Sequence, residues 1–443
     1  MDRCCATKKY EKNKLLQIFW KVSKRIWGIT TLAVFVASGV VSCTKTPQEQ
    51  RVPDRPEKTT PSEYIYVQGR SLMKPDKTVF MMKGVDLAGW LSPDGALFGF
   101  TKTRAERDLN MMFCQIAGPK RAAAFWKRHK DGFITEEDIR YIAKCGANTI
   151  RVPFDWRLFS SDTDFMGLAA EQDGFTRLDN LMKWCSAAGL YVIFDMKAAP
   201  GGQTGDWSDN GCGYPWLLGG KAQQTEMTKI WGEMAKRYKA EKSLLGYEIM
   251  DSPLCADAKF NDLLSKVEPL CRKTVKAIRA ADKNHVIILD AVRDGQDFSC
   301  YSDFEFDDNI LYTGHADAPS AFDSALDAIV RFREYNTGLP ALLSGVNPGA
   351  DGSRMAKKMN ENNVGYTFTP YKSYEGDCSL LSFGPVTGWN IVTRFADSKR
   401  TTFDDLHALG NFNVGDVAES LVDFSNACRF SECRKNKSVE AAF

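Results

Sequence analysis

Between residues 64 and 368 the chain repeats one pattern, in which a short apolar run precedes a stretch with apolar residues every three or four positions. The short runs have the length and composition of buried strands, and the longer stretches have the period of amphipathic helices. Helical crossovers join parallel strands, so the pattern predicts an α/β fold, a (β/α)8 TIM barrel. The predicted strands are 79–87, 148–154, 191–196, 246–254 with its terminal turn, 285–290, 309–313, 339–344 and 364–368.

Local sequence signals predict the elements at the N-terminal side of this barrel. The alternation from residue 64 to 87 predicts an N-terminal β-hairpin followed by the first strand. Thr135 and Asp138 have capping-box spacing, and Gly146 stands where a helix would end, so a helix is expected between them. The segment 92–133 that precedes it is expected to be a long excursion without a regular helix.

The N-terminus has the pattern of a secretory signal. Lys21, Lys24 and Arg25 precede the apolar run 26–41, which is short for a membrane span. The sequence Val-Val-Ser-Cys that ends at Cys43 resembles a bacterial lipobox, in which the cysteine becomes lipidated. We therefore expect a lipoprotein of the bacterial cell envelope, on the periplasmic side or the outer-membrane surface. A membrane-spanning anchor is the alternative.

These signals divide the chain into four parts. A lipoprotein signal peptide covers 1–42, and a proline-containing tether of extended chain covers 43–62. The barrel covers 63–430, and a polar tail that we expect to fray covers 431–443.

The composition limits the classes of partner and cofactor that we expect. The net charge of the 443 residues is +2, and acidic and basic residues are interspersed, which argues against a nucleic-acid partner. Thirteen cysteines are present, and ten remain without Cys4, Cys5 and Cys43, a number compatible with disulfides in an oxidising compartment. Neither a metal nor another cofactor is expected, because only four histidines occur and no Cys-x-x-Cys pair is present.

Three strand ends carry a resemblance to a known family. The segment 246–254 closely resembles the fourth strand of glycoside hydrolase family 5, the cellulase and mannanase type, which normally ends in Asn-Glu-Pro. Segment 84–91 resembles that family's opening strand, and 199–203 its third strand and loop. The resemblance runs from about residue 64 to 423. It implies a polysaccharide or oligosaccharide ligand at the carboxyl ends of the strands.

At the two catalytic positions, the sequence departs from the family's pattern. Retaining glycosidases need two carboxylates about 5–5.5 Å apart, one as acid/base and one as nucleophile. The resemblance places Ser252 at the acid/base position and Gly345 at the nucleophile position. Serine is not a carboxylic acid and glycine has no side chain to attack with. The family's double displacement is therefore expected to be disabled.

The supporting positions are also altered. Arg151 and His315 match the family, and we expect Arg151 to pair with Glu248 beneath the site. His315 is either a hydrogen-bonding group in the cleft or a core histidine. Lys197 replaces a histidine and is expected to form an ion pair with Asp251 or Asp317. The substitutions relative to the family are Lys197, Asp251 for Asn, Asp317 for Tyr and Thr369 for Trp.

Aromatic residues at or just beyond strand ends offer a platform for sugar rings, because an aromatic ring joins an apolar face to a polar edge. The alternative is that they pack the loops. The candidates are Trp90, Trp207, Tyr214, Trp216, Tyr371 and Trp389.

Three hypotheses about function follow. The first is a catalytically dead surface lipoprotein that binds a polysaccharide of the β-glucan or mannan type. The second is an active O-glycosyl hydrolase that uses rearranged carboxylates, with Asp251 and Asp317 as candidates. The third is an interaction protein without a sugar ligand.

Overall fold

The computed structural model describes residues 50–53, 62–160, 173–304 and 306–443. The predicted signal peptide, Cys43 and most of the tether lie outside these residues. Within the described ranges, no helix combines the length and apolar character that a membrane crossing requires.

Eight parallel strands close into a barrel, in which each strand pairs with its neighbours in the chain and the last pairs with the first. This confirms the (β/α)8 prediction. A two-stranded antiparallel hairpin, β1 (Tyr66–Gln68) and β2 (Ser71–Met73), precedes the barrel as expected. The barrel strands are β3 (Lys83–Asp86), β4 (Thr149–Asp155), β5 (Tyr191–Ala198), β6 (Leu244–Glu248), β7 (Val286–Asp290), β8 (Ile310–His315), β9 (Ala341–Val346) and β10 (Val364–Phe368).

Helices cover the outside of the barrel, and a small sheet of β11 (Lys372–Tyr374), β12 (Leu381–Phe383) and β13 (Arg434–Lys435) follows it. The helices are α1 (Glu106–Ala117), α2 (Pro119–Gly132), α3 (Glu136–Cys145), α4 (Gly174–Ala188), α5 (Lys221–Tyr238), α6 (Leu264–Arg279), α7 (Phe322–Phe332), α8 (Gly352–Glu361), α9 (Trp389–Ala396), α10 (Phe403–Leu409), α11 (Val414–Ala427) and α12 (Lys437–Glu440). Helix α3 begins with the predicted capping box and ends at Gly146, whose φ is 101°.

The excursion 92–133 is not irregular, because α1 and α2 lie within it. Helix α1 buries Leu109, Met112, Phe113 and Ile116, which recur every three or four residues along one face. That apolar stripe could have predicted the helix. Helix α2 buries few large apolar residues, so its period is weak in the sequence.

The tail that was expected to fray is ordered. Val439 and Ala442 are buried, and the Lys83 Nζ at the start of β3 donates to the Phe443 carbonyl at 3.4 Å. A Cβ on Gly146, just before β4, would lie 3.6 Å from Phe443. The tail therefore packs against the amino-terminal ends of the strands, opposite the end where barrel active sites lie.

The ten cysteines within the described residues are all unpaired thiols. The disulfides that the cysteine count allowed are therefore not present in this part of the chain.

Candidate active site

A cleft of about 520 Å³ opens at the carboxyl ends of the barrel strands. Ser252 and Gly345, which the sequence matched to the two catalytic positions, both line it, as does Thr369. Parallel strands direct their carboxyl ends to one face, which is why residues far apart in the chain meet here. Among the charged residues in its wall are Asp86, Arg151, Lys197, Asp251, His315 and Asp317.

Arg151 is the centre of a buried ion cluster on the floor of this cleft. Its Nε and Nη2 donate to the two carboxylate oxygens of Glu248 at 2.8 and 2.7 Å, which confirms the predicted pair. It also donates from Nη2 to Asp251 Oδ2 at 2.7 Å and from Nη1 to Asp86 Oδ2 at 3.1 Å. Asp195 Oδ2 lies 3.0 Å from Nη2. One guanidinium thus faces four carboxyl groups.

One guanidinium does not compensate four buried carboxyl groups, and these groups differ in how readily they ionise. Burial raises the pKa of Glu248 to about 7 and the pKa of Asp195 well above its ordinary value. Burial also opposes ionisation of Asp251, but Lys197, Arg151 and His315 outweigh it and hold the pKa of Asp251 well below its usual range. The Lys197 Nζ lies 3.4 Å from Asp251 Oδ1, which confirms the expected ion pair.

His315 combines the two roles that the sequence left open. It is only 4% exposed, yet it lines the cleft. Its Nε2 bonds to Asp290 Oδ2 at 2.7 Å, and the backbone N–H of Ser252 donates to the same oxygen at 2.5 Å. Burial alone would lower the pKa of His315, but Asp290 and Asp251 outweigh it and raise that pKa to about 10. His315 is therefore an imidazolium at neutral pH.

The donor groups of Glu248, Asp251, Asp290 and His315 lie within 4.8 Å of one another, a spacing that a metal ion could use. Arg151 already bonds to the first two, and His315 bonds to the third. Because protein cations hold these oxygens, we assign no metal to the cluster.

Three of the predicted sugar-stacking rings are not available to a ligand. Trp90, Tyr371 and Trp389 are each at most 2% exposed. Each donates its polar hydrogen to another protein group. Trp389 stacks on Phe424 of α11, within an aromatic cluster that α1 and α2 complete. The prediction of a sugar platform is wrong for these three residues, because packing against helices outside the barrel buries them.

The three other predicted rings remain accessible. Trp207 lines the cleft, and the guanidinium of Arg104 lies 3.7 Å from its ring centroid. Trp216 is 53% exposed and lies beside Tyr214, which is 41% exposed, with 4.8 Å between the ring centroids. Phe260 contacts the Tyr214 ring and packs closely against Gly205 in the cleft-side loop. Phe260 thus links this pair of exposed rings to the cleft-side loop.

Sequence reasoning missed Asp195 and Arg104. Asp195 stands in register with Glu248 on the neighbouring strand, as Asp86 does with Arg151. Since residues in register share a face, that alignment of strands could have identified Asp195. Arg104 lies in the excursion before α1, where no motif marks it.

A closed parallel barrel with a polar cleft at the carboxyl ends of its strands is the architecture of barrel enzymes. A family model described as Cellulase (glycosyl hydrolase family 5) matches residues 108–369, more than half of the chain. The chain therefore belongs to glycosyl hydrolase family 5.

Individual relatives also match part of the chain. It is 27% identical over 269 residues to a beta-xylosidase of Phanerodontia chrysosporium, which covers 60% of this chain and 54% of that protein. It is 30% identical over 200 residues to endoglucanase C of Acetivibrio thermocellus, which covers 45% of this chain and 54% of that protein. The chain thus spans about half the length of these curated relatives.

Solved structures support the fold. The crystal structure of AoRut aligns with a TM-score of 0.55 at 14% identity, covering 66% of this chain and 89% of that one. That of an endogalactoceramidase aligns with a TM-score of 0.52 at 13% identity, covering 81% and 84%. At such identities the likeness concerns the barrel alone.

Proposed function

We propose that this family member binds a β-linked polysaccharide of the glucan or mannan type in its cleft without hydrolysing it by the family's double displacement. The observation that carries the proposal is the pair of residues at the ends of β6 and β9, Ser252 and Gly345. Neither supplies a carboxyl group, and both line the cleft. A retaining mechanism needs a carboxyl group at each place.

The nearest substitute for the acid/base does not suit the role. Asp251 adjoins Ser252, but its ion pairs with Arg151 and Lys197 keep it ionised. A general acid must carry a proton near the working pH, and a carboxylate with a strongly lowered pKa does not. The rearranged pair of Asp251 and Asp317 therefore lacks its acid.

The sugar contacts that we propose follow from accessibility. Trp207 would stack on a ring in the cleft, and Lys197 and His315 would donate to sugar oxygens. Trp216 and Tyr214 would contact the polysaccharide where it leaves the cleft. Arg151 would act from below, by fixing the carboxylates of the floor.

An active O-glycosyl hydrolase is the second candidate, and a specific observation favours it. Asp317 brings an exposed carboxyl group into the cleft, and Asp294 lines the same cleft. Burial, together with Asp206, raises the pKa of Asp294, as a general acid would require. Loss of an observed activity in both Asp317→Asn and Asp294→Asn would establish this alternative.

We further propose that Cys43 is lipidated and holds the protein at the bacterial cell envelope, where polysaccharide would meet the cleft. The apolar run 26–41 before Cys43 supports this proposal.

The test uses the full-length chain in mild detergent. It is incubated overnight with β-glucan, mannan and xylan oligosaccharides, and chain lengths are followed by mass spectrometry. We expect unchanged chain lengths together with saturable binding by calorimetry, weakened in Trp207→Ala. Shortened products would overturn the non-hydrolytic assignment, and the absence of binding to every sugar would favour an interaction protein.

A further inference from the structure

Gly345 leaves a defined point of the cleft open. Its φ is 60°, in the left-handed region that glycine tolerates best. A Cβ built on Gly345 would lie 3.0 Å from His315 Nδ1, 3.5 Å from Asp317 Oδ1 and 3.9 Å from Asp86 Oδ2. Three polar groups therefore surround the point from which a side chain at this position would project.

The nitrogen that faces this point is a donor without a protein acceptor. His315 is more than nine-tenths buried, and its Nε2 is committed to Asp290. As an imidazolium it also carries a proton on Nδ1. Among the described residues, none accepts a hydrogen bond from that nitrogen. That nitrogen opens to the cleft, so a group bound there can accept its hydrogen bond.

The opposite side of the same point is negative. Asp317 is exposed in the cleft and bears an acceptor oxygen. Asp86 adds a second oxygen, which also accepts from Arg151. A ligand carboxylate would satisfy His315 but would stand against these two acids, whereas an ammonium group would be repelled by the imidazolium. A hydroxyl group accepts from one side and donates to the other.

We propose that the space over Gly345 is a binding position for a sugar hydroxyl group, which accepts from His315 Nδ1–H and donates to Asp317. The absence of a side chain at 345 lets a neutral sugar ring sit at the depth where the family's nucleophile would stand. Gly345, His315 and Asp317 thereby select a neutral ring over an acidic one. This inference rests on the proposed glycan-binding function and names the class of sugar.

The first experiment compares Gly345→Ala with Gly349→Ala in the full-length chain. Gly349 also has a positive φ, 49°, and a Cβ there would lie 3.0 Å from Pro319 Cγ, away from the cleft. The variant Gly349→Ala therefore reproduces the backbone strain of Gly345→Ala without obstructing the cleft. By calorimetry with neutral β-glucan and mannan hexasaccharides, we expect Gly345→Ala to lose about tenfold in affinity, the scale of one hydrogen bond to a charged donor. Gly349→Ala should bind as the wild type does.

A second variant covers the case in which Gly345→Ala does not fold. Asp317→Ala changes an exposed residue, and we expect it to keep the wild-type melting temperature and to lose several-fold in affinity. Uronic-acid oligosaccharides of the same length should bind more weakly than the neutral ones to the wild type.

The outcomes separate this inference from the proposed function. Wild-type binding that persists unchanged in Gly345→Ala or Asp317→Ala would overturn the hydroxyl position and leave glycan binding intact. Tighter binding of the uronic-acid oligosaccharide would indicate that the position binds an anion, and it would also overturn the hydroxyl position. A wild-type protein that binds no sugar would remove both proposals.

Discussion

Replacing Arg151 by methionine tests the buried ion cluster most directly. Methionine keeps much of the side-chain volume but removes the positive charge that faces four buried carboxyl groups. Without it, an ionised Asp251 would lose its closest guanidinium partner. The group would then ionise at a large cost or take up a proton.

The expected loss of folding stability follows from the free energy of keeping Asp251 protonated at neutral pH. Holding a carboxyl group of ordinary pKa 3.8 neutral at pH 7 costs about 4 kcal/mol, at 1.36 kcal/mol for each pH unit. The figure agrees with the roughly 3–5 kcal/mol lost when one partner of a buried ion pair is removed. Glu248 adds little, because burial already brings its pKa to about 7.

The sign of the pH dependence is equally specific. Lys197 and His315 remain beside Asp251 in the variant, but we expect burial without Arg151 to bring its folded-state pKa above the unfolded value. The destabilisation should then be present at neutral pH and shrink as the pH falls towards 3.8. At pH 5 the same calculation leaves about 2 kcal/mol.

The assay is urea denaturation of the wild type and the variant at pH 7 and pH 5, followed by tryptophan fluorescence. Arg237→Met is the matched control, because Arg237 pairs with Asp179 on the surface, where both side chains are at least 40% exposed. Such a pair contributes about 0–1 kcal/mol. A loss below about 1 kcal/mol in Arg151→Met, or a loss that does not shrink at pH 5, would refute the importance of this buried ion cluster for stability.

Three further predictions concern other parts of the chain. The pKa of His315 is raised from 6.5 to about 10, so its contribution to stability is fully present below pH 6.5 and is lost as the pH rises towards 10. Urea denaturation should therefore show the free energy of unfolding falling by a few kcal/mol over this range, and His315→Gln should lack that fall. The double variant Tyr214→Ala/Trp216→Ala should bind short oligosaccharides normally but retain long polysaccharide less well in affinity electrophoresis, and an equal loss in the exposed-ring control Phe403→Ala would contradict a specific platform. Cys43→Ser should abolish incorporation of radiolabelled palmitate in a bacterial host, and label retained in that variant would refute lipidation at this residue.

The sequence by itself determined the barrel and the order of its strands. Most strand positions are apolar because both faces of a parallel sheet are covered, and the crossover helices show the helical period of apolar residues. Helix α3 shows how local this information is, since Thr135, Asp138 and Gly146 define its ends without help from distant residues. The match of Ser252 and Gly345 to strand ends was likewise available from short motifs.

Tertiary structure decided which side chains face the cleft. Trp90, Tyr371 and Trp389 follow strand ends as Trp207 does, yet only Trp207 reaches the cleft. The difference comes from helices outside the barrel that are distant in sequence. Trp90 contacts α2, Tyr371 contacts α3, and Trp389 contacts α1 and α11. The charge state of His315 depends in the same way on Asp290 from another strand. Burial and pKa are properties of the surroundings, and a linear pattern does not contain the surroundings of a side chain.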